Sequence, residues 1–434
     1  MRPARTVRLT RRGAWLAAVG GALLVSGVLL GVASLVQGGA LVLLTVATGF
    51  TWLVVEAGLH RRGRLQLTRR ITPHPVTVGR RAVVSVVVTS PGTPRRVTGL
   101  QVAERAAREL SGPQPLRARV ERAAGRLTLT YAIHPEQRGR WTVGPLEVRS
   151  QDLFGVAHSS GRLGQSAQVA VRPATTALHL TRGPTATDVD RSSAGARTPA
   201  ADDSSLRDYR PGDDLRRVHW QSTARRGQVM VRQDERAGRR AASVLLDLPL
   251  DREQAEWSIS AAASIALALA DEGHHVRLLD GSDHGIRRER GSHHAPDVDG
   301  ATADALLDQT VDLVVPATEE ARERALLRAV ETLTGAAGGA EVVFAVVGGL
   351  EQSCLEALAR VGQASHGWAV VRATGAGVER VDGPARHSLT TREQHTHDAL
   401  RRAGWTVAVA RPGEDLTHAW ERLLAADDRL GARA

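Results

Sequence analysis

Arginines and carboxylates alternate over residues 205–235, whose sequence is SLRDYRPGDDLRRVHWQSTARRGQVMVRQDE. This spacing suits bidentate pairing between guanidinium and carboxylate groups. Asp213 and His219 add a carboxylate and an imidazole, which together with Asp247 and the arginines could support metal- or Arg-assisted hydrolysis of a phosphate ester. Two other interpretations are an internal ion-pair network, which we favour because such networks are commonly structural, and a docking site for an anion or a protein partner.

A turn, a short helix and a strand are predicted to carry these groups. Pro211 and Gly212 suit the centre of a tight turn, because proline fixes φ and glycine tolerates a positive φ. Asp213 then occupies an N-cap position and Gly227 a C-terminal cap position. Apolar and polar residues alternate after Gly227, as they do in a strand.

The same segment resembles the signature of the bacterial family known as domain of unknown function 58. Leu206 and Ala224 match that signature, as do the positions that we assign to partner docking, namely Arg207, Tyr209, Gly212, Asp213, Arg216, His219, Trp220, Arg225 and Gly227. The run RGRWTVGPL at 138–146, followed by DLFG at 152–155, resembles the family's upstream motif. Leu153 departs from that motif, which usually has proline there.

The resemblance implies a membrane-anchored protein whose C-terminal part is similar to a von Willebrand factor A domain. It also implies partners, because relatives are typically encoded beside MoxR-type AAA+ ATPases and membrane proteins with transglutaminase-like domains. We therefore expect a role in the assembly or maturation of envelope or membrane complexes, with the ATPase supplied by a partner.

Von Willebrand A domains often bind Mg²⁺ through an Asp-x-Ser-x-Ser loop after the first strand. The corresponding run here is DLPLD at 247–251, which keeps the aspartate as Asp247 and loses both serines. We expect no cofactor, with Mg²⁺ at Asp247 as the alternative. A second polar group lies at 390–398, which we expect to be a loop rather than a metal site; its members are Glu393, His395, His397 and Asp398.

Composition excludes several enzyme classes. All 57 basic residues other than histidine are arginine, which is typical of high-GC, actinobacterial-type genomes and leaves no lysine for a P-loop, a Schiff base or a Ser-Lys dyad. Gly-x-Ser-x-Gly, His-Glu-x-x-His and Cys-x-x-Cys motifs are also absent from the sequence. The single cysteine, Cys354, forms no intramolecular disulfide and is expected in the core. We therefore predict that the protein is not an enzyme.

Two apolar runs near the start of the chain predict a transmembrane helical hairpin over residues 14–58, with helices at about 14–36 and 39–58. A cleavable signal peptide is the alternative for the first run. Residues 1–64 hold eight arginines and one glutamate, so they carry +7 of the formal charge of +11. By the positive-inside rule we expect a multi-pass plasma-membrane protein with both termini cytoplasmic. The small remaining charge gives little support for nucleic-acid binding.

The rest of the chain divides by pattern. After a basic N-terminus at 1–13 and the hairpin, short alternating segments at 64–175 predict a β-sandwich-like domain. Residues 176–204 are a predicted linker, and 205–236 are the family signature segment. Alternating strands and helices over 240–434 predict a mostly parallel, Rossmann-like α/β domain of von Willebrand A type. The elements expected there are strands at 243–246, 275–279, 341–347, 368–372 and 406–410, and helices at 252–272, 302–308, 319–333, 351–361 and 414–426.

Two functions follow from these observations. The first is a membrane-anchored, cytosol-facing interaction or scaffold protein that binds the lipid bilayer and protein partners but no nucleic acid. The second is a hydrolase that uses Asp213, His219 and Asp247.

Overall fold

The computed structural model describes residues 6–61, 65–90, 100–112, 116–179, 206–208, 228, 230–232, 241–281, 292–295, 299–335, 341–364, 367–375, 377–379 and 386–431. Two compact units are present, Met1–Arg172 and Pro173–Ala434. The first contains two apolar helices and antiparallel sheets, and the second contains a parallel sheet with helices. The predicted multidomain layout with an α/β part is therefore confirmed at this level.

Helices α1 (Arg11–Leu30) and α2 (Ala33–Arg61) form a hairpin, and both are long and apolar enough to cross a membrane. At 1.5 Å per residue the 20 residues of α1 span about 30 Å, the thickness of a bilayer core. Thr10 caps α1 by accepting the Gly13 N–H at 3.0 Å. We refer to α1 and α2 together as the helical hairpin.

The turn of the helical hairpin lies at residues 31 and 32, not at 37–39 as predicted. Gly31 ends α1 in the left-handed region at φ 66°, where glycine is favoured. Gly39 instead continues α2 and lets the helices approach closely, because a Cβ there would lie 2.7 Å from the Gly20 carbonyl oxygen. A glycine at a close helix crossing and a glycine in a turn look alike in sequence.

Two sheets share one hydrophobic core in the first unit. One sheet has the order β2-β4-β7-β6, with strands Gln66–Thr72, Ala82–Thr89, Arg126–Ile133 and Ala118–Ala123. The other has the order β1-β9-β8-β10-β3, with β5 also on β8; its strands are Thr6–Leu9, Ala157–Leu163, Gly139–Gln151, Ala167–Arg172, Val76–Thr77 and Gln101–Ala106. Alternate side chains of β4 and β7 are buried and pack with those of β8 and β10. The arrangement is a β-sandwich.

Strand β1 joins the helical hairpin directly to this sandwich. It precedes α1 in the chain and pairs antiparallel with β9, placing Thr6 opposite Ser160. Thr10, between β1 and α1, donates its N–H to the Val156 carbonyl at 2.9 Å and its hydroxyl to the Gly155 carbonyl at 2.7 Å. No linker separates the strand from the helix.

Five parallel strands form the sheet of the second unit in the order β14-β13-β15-β16-β19. Their bounds are His275–Leu279, Ala241–Leu246, Val342–Val347, Gly367–Arg372 and Thr406–Ala410. All six residues of β15 and of β16 are buried, as expected for strands covered on both faces. The prediction of a mostly parallel sheet is therefore confirmed. Numbered along the chain, the strand order is 2-1-3-4-5, which is a doubly wound order.

Six helices cover the two faces of the parallel sheet. Helices α3 (Arg252–Asp271), α4 (Ala301–Val311) and α8 (Leu416–Gly431) contribute to the core on one face. Helices α5 (Glu319–Gly335), α6 (Gln352–Ala364) and α7 (Thr391–Arg402) contribute to the core on the other. Two short antiparallel pairs and a 3-10 helix at Arg108–Leu110 complete the described elements. The pairs are β11 (Leu206–Asp208) with β12 (Met230–Arg232), and β17 (Gly377–Glu379) with β18 (Arg386–Ser388).

Candidate functional site

Asp247 stands at the carboxyl end of β13, the first strand of the parallel sheet. Its N–H extends the pairing with β15 by donating to the Val346 carbonyl at 2.9 Å. The chain passes from β13 to β14 on one side and later crosses to β15 on the other, so the strand order reverses at β13. In open α/β sheets ligands bind in the crevice outside the strand ends at such a point. Asp247 is therefore placed where a site is expected.

Arg322, in the first turn of α5, occupies this crevice. Its Nε donates to Oδ1 of Asp247 at 2.7 Å and its Nη2 donates to Oδ2 at 2.6 Å, which is a bidentate fork. Nη2 also reaches the Gly349 carbonyl at 3.1 Å, and Nη1 donates to Glu319 at 2.7 Å. The backbone N–H of Gly348 donates to Oδ2 of Asp247 at 3.0 Å. Three hydrogen bonds thus converge on one carboxylate.

Burial and pairing act in opposite directions on these two groups. Burial would raise the pKa of the Asp247 carboxyl, but the hydrogen bonds and charge of Arg322 outweigh it and hold that pKa below its usual value. Burial likewise opposes the charge of Arg322, and the Asp247 carboxylate nevertheless raises the Arg322 pKa above its usual value. The two side chains form a charged pair throughout the physiological range.

A second guanidinium, that of Arg372, is buried beside this pair at the end of β16. Its side chain donates through Nη1 to the Ser258 hydroxyl of α3, and its Nε has no hydrogen-bond partner among the described residues. Burial, helped by the positive charge of Arg322, lowers the Arg372 pKa, and the charge of Asp247 opposes that shift. Gly348 leaves room for this arginine, because a Cβ at Gly348 would lie 2.5 Å from Arg372 Nη2.

These residues do not fit a magnesium site. Both oxygens of Asp247 accept hydrogen bonds from Arg322, so a guanidinium stands where the cation would bind. Asp251, the other carboxylate of the 247–251 run, caps α3 by accepting the Gln254 N–H at 2.9 Å. Pro249 offers no side-chain oxygen. Within the described ranges there is also no cluster of three or more His, Cys, Asp or Glu side chains that could hold a metal ion.

The 390–398 segment is helical, so the prediction of a loop there was wrong. Thr390 caps α7 by accepting the Glu393 N–H at 3.3 Å, and Glu393 accepts the Thr390 N–H at 2.9 Å, which is a capping box. The other oxygen of Glu393 accepts the Thr374 N–H at 2.7 Å. The polar composition suggested a loop. The segment instead begins an amphipathic helix, and the Glu393 carboxylate accepts hydrogen bonds from backbone N–H groups.

A cleft of about 300 Å³ opens at the same edge of the sheet. Apolar residues of 314–317 form part of its wall, and its charged lining residues are Asp247, Asp280, Arg322, Arg324 and Arg328. Asp280 follows β14 and is buried, and its Oδ2 accepts no hydrogen bond from the described part of the chain. The cleft therefore combines a buried carboxylate with several guanidiniums on one surface.

Most of the predicted docking residues cannot be placed against this edge. Arg207 lies in β11, where its backbone is opposite Val231 of β12. The strand predicted after Gly227 is present as β12. The other docking positions lie outside the described residues; they are Tyr209, Gly212, Asp213, Arg216, His219, Trp220, Arg225 and Gly227.

Comparison with protein families agrees with the sequence resemblance. Residues 205–374 match the family described as "Protein of unknown function DUF58". The 205–374 segment therefore belongs to the DUF58 family. No curated protein matches the chain. The matched stretch begins at the signature segment and includes Asp247, Arg322 and Arg372.

Sequence reasoning identified Asp247 but missed both arginines that surround it. Arg322 is one of 57 arginines, and nothing in its neighbourhood singles it out. Arg372 did carry a signal, because it ends the buried run GWAVVR, where a charged residue is expensive unless it has partners. A charged residue at the carboxyl end of a fully buried parallel strand lies at the sheet edge where α/β folds place their ligand-binding sites.

Proposed function

We propose that this DUF58 protein is a membrane-anchored, cytosol-facing interaction protein. The observation that carries the proposal is the Asp247–Arg322 pair. A carboxylate that already accepts three hydrogen bonds, two of them from a guanidinium, is a poor general base and a poor metal ligand. The carboxylate that would ligate a cation at this sheet edge is thus already paired with the chain's own guanidinium, which favours a binding surface over a catalytic centre.

Membrane anchoring is supported by the helical hairpin and by β1. Strand β1 lies before α1 and strand β9 lies after α2, yet the two pair in one sheet. If the helical hairpin spans the bilayer, both of its flanks are then on the same side, and the arginine-rich flanks favour the cytoplasmic side of the plasma membrane.

Insertion is tested with Val32→Cys and Arg80→Cys variants in intact cells. A membrane-impermeant maleimide is expected to label the variant with the new thiol at position 32 but not the variant with the thiol at position 80. The reverse pattern would overturn this orientation.

The α/β domain is proposed to be of von Willebrand A type without the metal. In support, its parallel sheet is doubly wound and has an antiparallel bridge, Val276 opposite His294, at the β14 edge. The carboxylate after the first strand is retained at Asp247, and Arg322 supplies the positive charge. Such a domain would bind a protein partner without a cation, so chelators should leave binding unchanged.

The proposed partners are a MoxR-type AAA+ ATPase and a membrane protein with a transglutaminase-like domain, acting in the assembly or maturation of envelope complexes. The signature segment is the proposed docking region, because its alternating arginines and carboxylates can pair with a partner of mixed charge. No metal or cofactor is needed for this role.

Affinity purification from native membranes in mild detergent tests the partnership. The full-length protein, an Arg225→Ala variant and an Arg80→Ala control would be compared by mass spectrometry of the co-eluting proteins. We expect an AAA+ ATPase with the parent and the control, and its loss with Arg225→Ala. Hydrogen exchange of β13 in each variant checks the fold. Equal recovery from all three proteins, or none from the parent, would refute docking through the signature segment.

A further inference from the structure

The turn between β8 and β9, residues 152–155, exposes two large apolar side chains on a rigid frame. Asp152 accepts the Phe154 N–H at 2.9 Å and the Ala157 N–H at 2.7 Å, and Gly155 adopts φ 69°. Leu153 is 94% exposed and Phe154 is 49% exposed. Packing within the sandwich does not explain why the hydrogen-bonded turn holds Leu153 in an exposed position. Two adjacent exposed apolar side chains on one hydrogen-bonded turn are available to a partner outside the sandwich.

This turn packs directly against both helices of the hairpin. A Cβ on Gly13 of α1 would lie 1.9 Å from the Val156 carbonyl oxygen, and a Cβ on Gly49 of α2 would lie 2.7 Å from both the Asp152 carboxylate and the Val156 side chain. Gly13 and Gly49 are therefore at the same level along the helical hairpin, and so is the turn.

Charge and aromatic residues identify that level as the edge of the bilayer. Arg11 and Arg12 are exposed at the start of α1, immediately beyond Gly13. Trp15, two residues from Gly13 on the membrane side, and Trp52, three residues from Gly49 on the opposite side, are both exposed. At 1.5 Å per residue they lie within about 5 Å of this level, and exposed tryptophans are enriched at membrane interfaces.

We propose that the 152–155 turn inserts Leu153 and Phe154 into the interfacial layer of the bilayer beside the helical hairpin. The inference rests on the membrane anchoring proposed above. The two side chains would act as a third membrane contact, which fixes the tilt of the sandwich against the bilayer surface. In this interpretation the Asp and Gly of the DLFG motif build the turn, and the two residues between them meet the lipid.

The depth of position 153 can be measured in the full-length protein. Leu153→Cys is labelled with an environment-sensitive nitrobenzoxadiazole dye and reconstituted in phosphatidylcholine–phosphatidylglycerol vesicles, with and without lipid carrying a spin label high on the acyl chain. Arg80→Cys is the matched control, because Arg80 is exposed at the end of the sandwich where β8 begins, about 40 Å along that strand from the turn. Native Cys354 is 2% exposed and is therefore not labelled in the folded protein.

Insertion predicts that the dye at position 153 emits at shorter wavelength than the dye at position 80. The dye at position 153 should also lose most of its emission to the spin-labelled lipid, while the dye at position 80 is unaffected. Flotation of the same vesicles reports anchoring separately. If the protein floats but the two dyes behave alike, the inserted turn is refuted and anchoring stands. If the protein does not float, membrane anchoring fails and the inserted turn fails with it.

Discussion

Replacing Arg322 by methionine should leave the Asp247 carboxylate buried without its hydrogen-bonded counter-ion. Asp247 has no exposed side-chain area, and both of its hydrogen bonds from Arg322 would be lost, leaving only the Gly348 N–H. Removing one partner of a buried ion pair costs about 3–5 kcal/mol, because the other charge loses its hydrogen-bonded counter-ion. The Arg372 guanidinium nearby compensates the Asp247 charge only in part. Since 1.4 kcal/mol is a factor of ten, opening of the parallel sheet should increase by roughly two to three and a half powers of ten.

Hydrogen exchange with mass spectrometry measures this effect locally, in peptides that cover β13 and β15 of the full-length protein. Arg324→Met is the matched control, because Arg324 is exposed on the same helix and its Nε donates to the Glu320 carbonyl at 3.1 Å. The control should change protection little. Adding Asp247→Asn to Arg322→Met should restore part of the loss, because an amide needs no counter-ion.

The sign of the pH dependence makes the test stricter. In the parent the Asp247 pKa is lowered, so the pair stabilises the fold above the unfolded aspartate pKa of about 3.9, and this stability is lost as the pH falls through the folded value. Without Arg322, burial raises the Asp247 pKa, and the carboxyl gains a proton as the pH falls. The difference in the free energy of sheet opening between Arg322→Met and the parent should therefore become smaller as the pH falls. A difference that is constant with pH, or no larger than the difference caused by Arg324→Met, would refute the reasoning.

Four further predictions concern single residues. Gly13→Ala should increase hydrogen exchange in β1, because the new Cβ would lie 1.9 Å from the Val156 carbonyl oxygen. Gly21→Ala on the same helix is the control, because a Cβ there meets nothing within 4 Å and should leave exchange in β1 unchanged. Equal effects of the two substitutions would contradict the packing. Tyr131→Phe removes a hydroxyl that donates to the buried Glu104 carboxylate at 2.7 Å. The substitution should lower the free energy of unfolding of the sandwich by about 1.5–3 kcal/mol, measured by urea unfolding. Burial first, and the Glu104 carboxylate second, raise the Tyr131 pKa, so Tyr131 should stay un-ionised during alkaline titration of the folded protein. Ionisation of both tyrosines of the chain before unfolding would contradict this. Burial and a nearby carboxylate raise the pKa of Cys354 to about 11, so its thiol should react with Ellman's reagent at mildly alkaline pH only after denaturation.

Much of the fold was predictable because it follows local rules. The helix expected at 252–272 begins at Arg252, since Asp251 provides an N-cap, and the strand expected at 243–246 lies within β13. Alternation of apolar residues likewise predicted β4 and β7. These features depend on hydrogen bonds and burial patterns among residues that are close together in the chain, so they can be predicted from the sequence.

Features that depend on distant residues were not predictable in the same way. The turn of the helical hairpin was misplaced because Gly39 serves a helix crossing, whose partner is Gly20. The Asp247–Arg322 pair joins residues 75 positions apart in sequence, and no local pattern marks Arg322. Strand β1 was missed because four residues before an apolar helix carry no strand signal without β9 beside them.

The pairing of β1 with β9 also sets an order of events during synthesis. Thr6 and its partner Ser160 are 154 residues apart. At roughly 5–20 residues per second, β1 leaves the ribosome about 8–30 s before its partner strand does. If the helical hairpin spans the membrane as proposed, it would insert during that interval, while residues 6–9 stay on the ribosome's side with an unpaired strand edge. Closure of the sandwich would then hold both flanks of the hairpin on one side of the membrane, so a chain in which only one of the two helices had crossed could not complete its sheet.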